Sequence, residues 1–129
     1  MAKQVIGDPL EINGRRLSLS RAIRAGDFVF LTGQIPMQNG AVMTEGDIYA
    51  QTRVVLDEIK ATLAMAECEV SDVVKAMVWL RDRADFPGFN EVYAEYFPTD
   101  PPARSAVISE LLVDVRVEVE VVAYRPLLA

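Results

Sequence analysis

The chain has 129 residues, 51% of them hydrophobic and 25% charged, and its formal net charge is −6. These values fit one compact domain over residues 1–129 with a real core, and they argue against disorder and against a nucleic-acid binder, which needs an excess of Lys and Arg. Histidine is absent and Cys68 is the sole cysteine, which excludes His-based nucleophilic, nuclease and metal chemistry, intrachain disulfides and Cys-cluster metal sites.

The opening MAKQVIGDPLEING lacks the apolar core of a leader, and no apolar run approaches ~18 residues. No membrane span is therefore expected, and a cytosolic location follows by default. Asn13-Gly14, between Leu10-Glu11-Ile12 and Arg16-Leu17-Ser18-Leu19, predicts a two-residue hairpin turn. Arg15, Arg16, Arg21 and Arg24 make a local basic cluster, read as a solvated strand rim. Ala25-Gly26-Asp27 marks a second turn. Phe28-Val29-Phe30-Leu31 is apolar on both faces, as an interior strand would be, and Asn39-Gly40 marks a further turn.

Asp47 to about Ala66 is predicted to be a helix. Ile48, Val55, Ile59 and Leu63 share one stripe with Leu56 beside it, while Arg53, Asp57 and Lys60 look outward. Thr44, Glu45 and Asp47 supply cap-forming groups at its start. Cys68 reads as a small buried side chain. Val74 to Leu80 predicts a central strand, with Ala76, Val78 and Leu80 on one face and Met77 and Trp79 on the other. Asp85 is the expected cap of a second helix, with Pro87 in its first turn and Phe86, Phe89, Tyr93 and Phe97 as its apolar stripe.

The closing stretch, Pro101 to Pro126, reads as two strands joined by a tight connection. Period-two alternation puts Val117, Val119, Val121 and Ala123 on one face, and Arg116, Glu118, Glu120 and Tyr124 on the other. The order is strands, helix, strand, helix, two strands, which predicts an α+β fold with two helices on one face of a single mixed sheet. The bare face would carry Met77, Trp79, Glu118, Glu120 and, on a neighbouring strand, Arg104. Large apolar groups among charges invite burial against another copy, so a homo-oligomer is expected.

Several short pieces, in this order and spacing, resemble the YjgF-type reactive-intermediate deaminases, the RidA family, also called endoribonuclease L-PSP or translation-inhibitor proteins. They are Thr32-Gly33-Gln34-Ile35-Pro36, Val73-Val74-Lys75, Asp85-Phe86 with Asn90 and Tyr93, Pro102-Ala103-Arg104-Ser105, and Val117-Glu118-Val119-Glu120 followed by Ala123. The resemblance implies a chorismate-mutase-like homotrimer with helices outside and active sites in clefts between subunits. It also implies hydrolysis of 2-imino acids, formed from enamines such as 2-aminoacrylate, to 2-keto acids and ammonia, without cofactor or metal.

By that resemblance Arg104 holds the substrate carboxylate and Glu118 orients or deprotonates the attacking water. Thr32, Gly33, Ala106 and Asn90 stand beside the substrate. The chemistry suits these residue types, since a guanidinium grips a carboxylate bidentately and a carboxylate can serve as general base. Arg104 and Glu118 can equally be read as surface charges, and Asn90 as a backbone partner of the second helix. Two positions depart from the family pattern: Ala106 stands where members carry a cysteine, and Leu19 where many carry a tyrosine. A non-catalytic trimer binding a small carboxylate or a protein partner is the alternative function, and an endoribonuclease ranks last.

Overall fold

The structure, a computed structural model, describes residues 2–127. A six-stranded sheet is its frame. In chain order the strands are β1 (Gln4–Ile6), β2 (Glu11–Ile12), β3 (Arg15–Arg16), β4 (Ala22–Ala25), β5 (Phe28–Leu31), β6 (Met37–Gln38), β7 (Ala41–Val42), β8 (Val73–Leu80), β9 (Ala103–Ile108) and β10 (Val117–Tyr124). The sheet order is β1-β4-β5-β10-β8-β9, and β2-β3 and β6-β7 are separate hairpins. Both hairpins turn on Asn-Gly, with Asn13, Gly14, Asn39 and Gly40 all at positive φ, as a tight two-residue turn of this hand requires.

Helices α1 (Ile48–Met65) and α2 (Phe86–Tyr96) cover one face of the sheet. The Asp47 carboxylate accepts from the Ala50 N–H and starts α1, as expected. The predicted stripe of Ile48, Val55, Leu56, Ile59 and Leu63 is buried against Val78, Leu80, Val117, Val119 and Val121. Cys68 is buried beneath the end of this helix, and burial pushes its thiol pKa up. The architecture is α+β with a mixed sheet: β8 and β9 run parallel, and the other neighbours in the sheet run antiparallel. Among the described residues no helix is long and apolar enough to cross a membrane.

Four expectations are corrected. The last two strands are not a hairpin. Both β9 and β10 pair with β8, one on each side of it, so residues 109–116 form a connection that passes the end of β8. Second, Arg104 pairs in register with buried Ala76 and so lies on the helix-covered side, away from the bare face. Third, Arg24 is no rim residue. It is 5% exposed and donates to the carbonyls of Ala66 and Arg125, both at 3.0 Å, while Arg21 pairs with Glu58. Fourth, Asp85 occupies the position before α2 without capping it. Its carboxylate meets Arg116 at 3.1 Å, and Asp82 instead caps the short turn ahead of the helix through the Ala84 N–H.

One buried polar side chain fixes where β10 begins. Gln51 is fully buried on α1; its Oε1 accepts from the Arg116 N–H at 2.8 Å, and its Nε2 donates to the carbonyls of Met43 and Glu45. Each of those backbone groups would be left without a partner by an apolar replacement. Gln51→Leu is therefore expected to lower unfolding stability by roughly 2–4 kcal/mol, given ~1–3 kcal/mol per stranded buried group. Urea denaturation would read this as a lower midpoint with an unchanged slope.

Candidate functional site

Two candidate half-sites lie on opposite faces of the sheet. The first is built on β10 and the segment after β5. Val122 pairs with Phe30, but Gln34 bridges Val119, so three steps along β10 face four steps on the other chain segment. The extra residue is a bulge, which bends the segment and carries Gly33 against Glu118. A Cβ on Gly33 would collide with Glu118 Oε2. Glycine lets the carboxylate lie against the backbone there, and a Cβ would make it move aside.

Glu118 is half-buried on the bare face, opposite Trp79, and makes no ion pair or hydrogen bond among the described residues. Loss of solvent around it, and secondarily the charge of Glu120, push its pKa above the usual carboxylate range. Thr32 stands beside it, but its hydroxyl donates to the Ser20 carbonyl at 2.8 Å and pins the strap that carries Leu19. Two cavities meet at Thr32 and Gly33. An open cleft of about 890 Å³ reaches Glu120, Lys3 and Arg16. A smaller one of about 220 Å³ includes Glu118 in its lining.

The second half-site is at the far edge of the sheet. The Arg104 guanidinium rests on aromatic rings of α2: its carbon is 4.7 Å from the Tyr93 centroid, 5.7 Å from Phe89 and 5.8 Å from Phe86. Such stacking holds a cation in place without neutralising it, and contributes about 0.5–2 kcal/mol. Among the described residues Arg104 has no acid partner and no side-chain hydrogen bond. The Tyr93 hydroxyl beneath it is buried without a partner.

Ala106 lies two residues further along the same edge strand, exposed. The Ser109 N–H donates to the Leu80 carbonyl. By alternation the N–H and C=O groups of Arg104, Ala106 and Ile108 then face the open edge. Asn90 is half-buried on α2, next to Phe89, and its side chain forms no hydrogen bond among the described residues, so the backbone-partner reading is not what is seen.

A family profile described as endoribonuclease L-PSP matches residues 15–125. The chain belongs to that family. A RutC family protein of Pyrococcus horikoshii is 50% identical over 109 residues, 82% of this chain and 86% of that protein. The 3-aminoacrylate deaminase RutC of Acinetobacter baylyi is 41% identical over 105 residues, covering 80% and 83% of the two chains. The crystal structure of yeast Mmf1 superposes with a TM-score of 0.87 at 32% identity, over 96% of this chain and 99% of that one.

Within this L-PSP family chain the structure brings Thr32, Gly33 and Glu118 together, and separately Arg104, Ala106 and α2. It does not bring the two groups to each other. Strand β8 intervenes, at about 5 Å per strand step, and the two side chains point to opposite faces. Sequence reasoning missed the aromatic support of Arg104. The signal was available in Phe86, Phe89 and Tyr93 as a stripe, but it was read only as core.

The raised pKa of Glu118 has a consequence for stability. Below the ordinary carboxylate pKa both folded and unfolded chains carry the proton, and nothing distinguishes them. As pH rises from the unfolded value to the raised folded value, the unfolded chain gives up its proton more readily than the folded one, so stability falls, and it levels off once both are ionised. Glu118→Gln is expected to melt a few degrees higher than the parent at pH 7. At about pH 3, below the carboxylate range, the two melting points are expected to coincide, as measured by calorimetry.

Proposed function

We propose that this protein hydrolyses reactive 2-imino and enamine acids, such as 2-aminoacrylate and its imine tautomer 2-iminopropanoate, to 2-keto acids and ammonia. The observation that carries this reading is the complementary pair of unsatisfied half-sites. A guanidinium held by aromatic rings has no acid partner, and a half-buried carboxylate with a raised pKa has no base partner. Neither charge is neutralised by a partner among the described residues. Each suits one end of a small imino acid.

In the proposed reaction Arg104 grips the substrate carboxylate with two parallel N–H donors. The outward N–H of Ala106 adds a donor without needing the thiol that related chains carry. Glu118 takes a proton from water as its oxygen attacks the C=N carbon, while the imine nitrogen takes a proton from bulk water, giving a tetrahedral carbinolamine. The proton held by Glu118 then passes to the amine, the C–N bond breaks to release ammonia, and the C=O bond forms as the hydroxyl proton returns to bulk water. A carboxylate whose pKa lies above the ordinary range is a better base for this step than a fully solvated one.

Because the half-sites lie on opposite faces, the reading requires two copies for one site. A homotrimer, with the bare sheet face turned inward, meets that need. The bare face supports it: Phe28, Phe30, Tyr124 and Val107 stand 42–46% exposed there among charges. Such an apolar face calls for cover. The A. baylyi relative's name supports the reaction type.

The test is to generate 2-iminopropanoate in situ with an amino-acid oxidase and follow its loss with and without purified protein. Acceleration is expected, falling about 10²-fold in Arg104→Ala, which removes two charge-assisted hydrogen bonds, and ~10²–10⁴-fold in Glu118→Gln. No acceleration at any protein concentration would refute the reading. Mixing inactive Arg104→Ala with inactive Glu118→Gln should restore part of the activity, because mixed assemblies contain some clefts with both groups intact. Light scattering should give the mass of three chains.

A further inference from the structure

Resting on that reading, we infer that the substrate's side chain is an aliphatic group of about three to four carbons, seated in the smaller cavity beside Glu118. The cavity holds about 220 Å³, and its apolar lining includes Leu10, Ile12, Leu17, Leu19, Val113 and the fully exposed Leu112. Glu118 is the sole titratable side chain lining it. The two other polar side chains there are already engaged. The Thr32 hydroxyl donates to Ser20, and the Gln34 amide donates to the carbonyl of Ile35 at 3.0 Å.

A carboxylate on the substrate would lose its water in this cavity, meet no cationic side chain in return, and face the like charge of Glu118. An apolar chain would lose nothing. Size points the same way. With about 30 Å³ per water in the liquid, the space equals about seven waters. The methyl of 2-iminopropanoate leaves most of it unfilled and forgoes the contacts its walls offer.

The hairpin part of the lining is held by backbone bonds. The Asn13-Gly14 turn folds Ile12 back toward Leu17, and the Leu17 N–H donates to Leu10 at 3.3 Å. The hairpin is tied in turn to its neighbour: the Asn13 N–H donates to Gly40 at 2.9 Å, and Asn13 Oδ1 accepts from the Val42 N–H at 3.2 Å. Leu19 hangs from the strap that Thr32 pins. A largely apolar cavity with the proposed base in its lining suits a specificity pocket for the group attached to the reacting carbon.

The experiment compares three imines made in situ by amino-acid oxidases or dehydrogenases: 2-iminopropanoate, 2-imino-4-methylpentanoate and 2-iminosuccinate. The branched aliphatic imine is expected to show a kcat/KM at least tenfold above both others. In Leu19→Phe, which fills the cavity, its advantage over 2-iminopropanoate should shrink toward unity. Equal efficiencies, or a preference for the methyl or the acidic imine, overturn the inference while leaving imine hydrolysis standing.

Should no imine be hydrolysed, it is the proposed reaction that fails, and calorimetric titration with the keto acids then decides the cavity on its own. Tighter binding of 2-oxo-4-methylpentanoate than of pyruvate supports the apolar pocket. Equal binding, or none, overturns it.

Discussion

The alternation of β10 is the constraint on which the rest depends. Val117, Val119, Val121 and Ala123 are all 1% exposed or less, packed beneath the sheet against α1 and its neighbours. Burying a valine stabilises by about 1.5–3 kcal/mol, so a one-residue slip, which would turn all four side chains to the other face, is strongly opposed. With β5 on one side and β8 on the other, the strand cannot shift toward either. Glu118 and Glu120 are thereby forced onto the bare face. Their position is a by-product of the core, and the core offsets the cost of leaving one carboxylate half-buried without a partner.

The same logic, applied across the sheet, separates the two charges. Parallel pairing of β9 with β8 sets Arg104 level with Ala76, and Ala76 is core. Arg104 must then point toward the helices, where α2 meets it with rings in place of an acid. An acid there would have made a stable ion pair and left nothing for a ligand. Aromatic faces attract the cation yet leave its N–H edge unfilled, which is the arrangement a carboxylate-binding arginine needs.

Features set by a few adjacent residues were legible in the sequence. The Asn-Gly turns, the Asp47 cap, the α1 stripe and the two faces of β8 and β10 all follow from neighbours within one turn or one strand. What distance in sequence decides was not. Nothing local says that β10 pairs with β5 and β8 and leaves β9 to the far edge, so the last two strands read as a hairpin and Arg104 was placed on the wrong face. Arg24 reads as a surface charge until α1 ends over it and Ala66 offers a carbonyl 42 positions away. Asp85 has the right position for a cap, and only the fold supplies Arg116 as a competitor for its carboxylate. The resemblance named candidate residues, but their division between two faces needed coordinates.

In the proposed reaction, base strength and the choice of substrate are linked. The leucines of the hairpin and Glu118 line the same small cavity, and loss of water is the main cause of the raised Glu118 pKa. Apolar surroundings act on a carboxylate by disfavouring its charge, which makes it hold a proton more strongly and take one more readily. In the proposed reaction the wall therefore acts twice. It strengthens the base before substrate arrives, and an aliphatic side chain entering the cavity would displace further water and strengthen it again. A polar side chain would bring water or charge with it and undo that gain. Selectivity and base strength then come from the same residues, so a substitution at Leu17 or Leu19 cannot change one while leaving the other untouched.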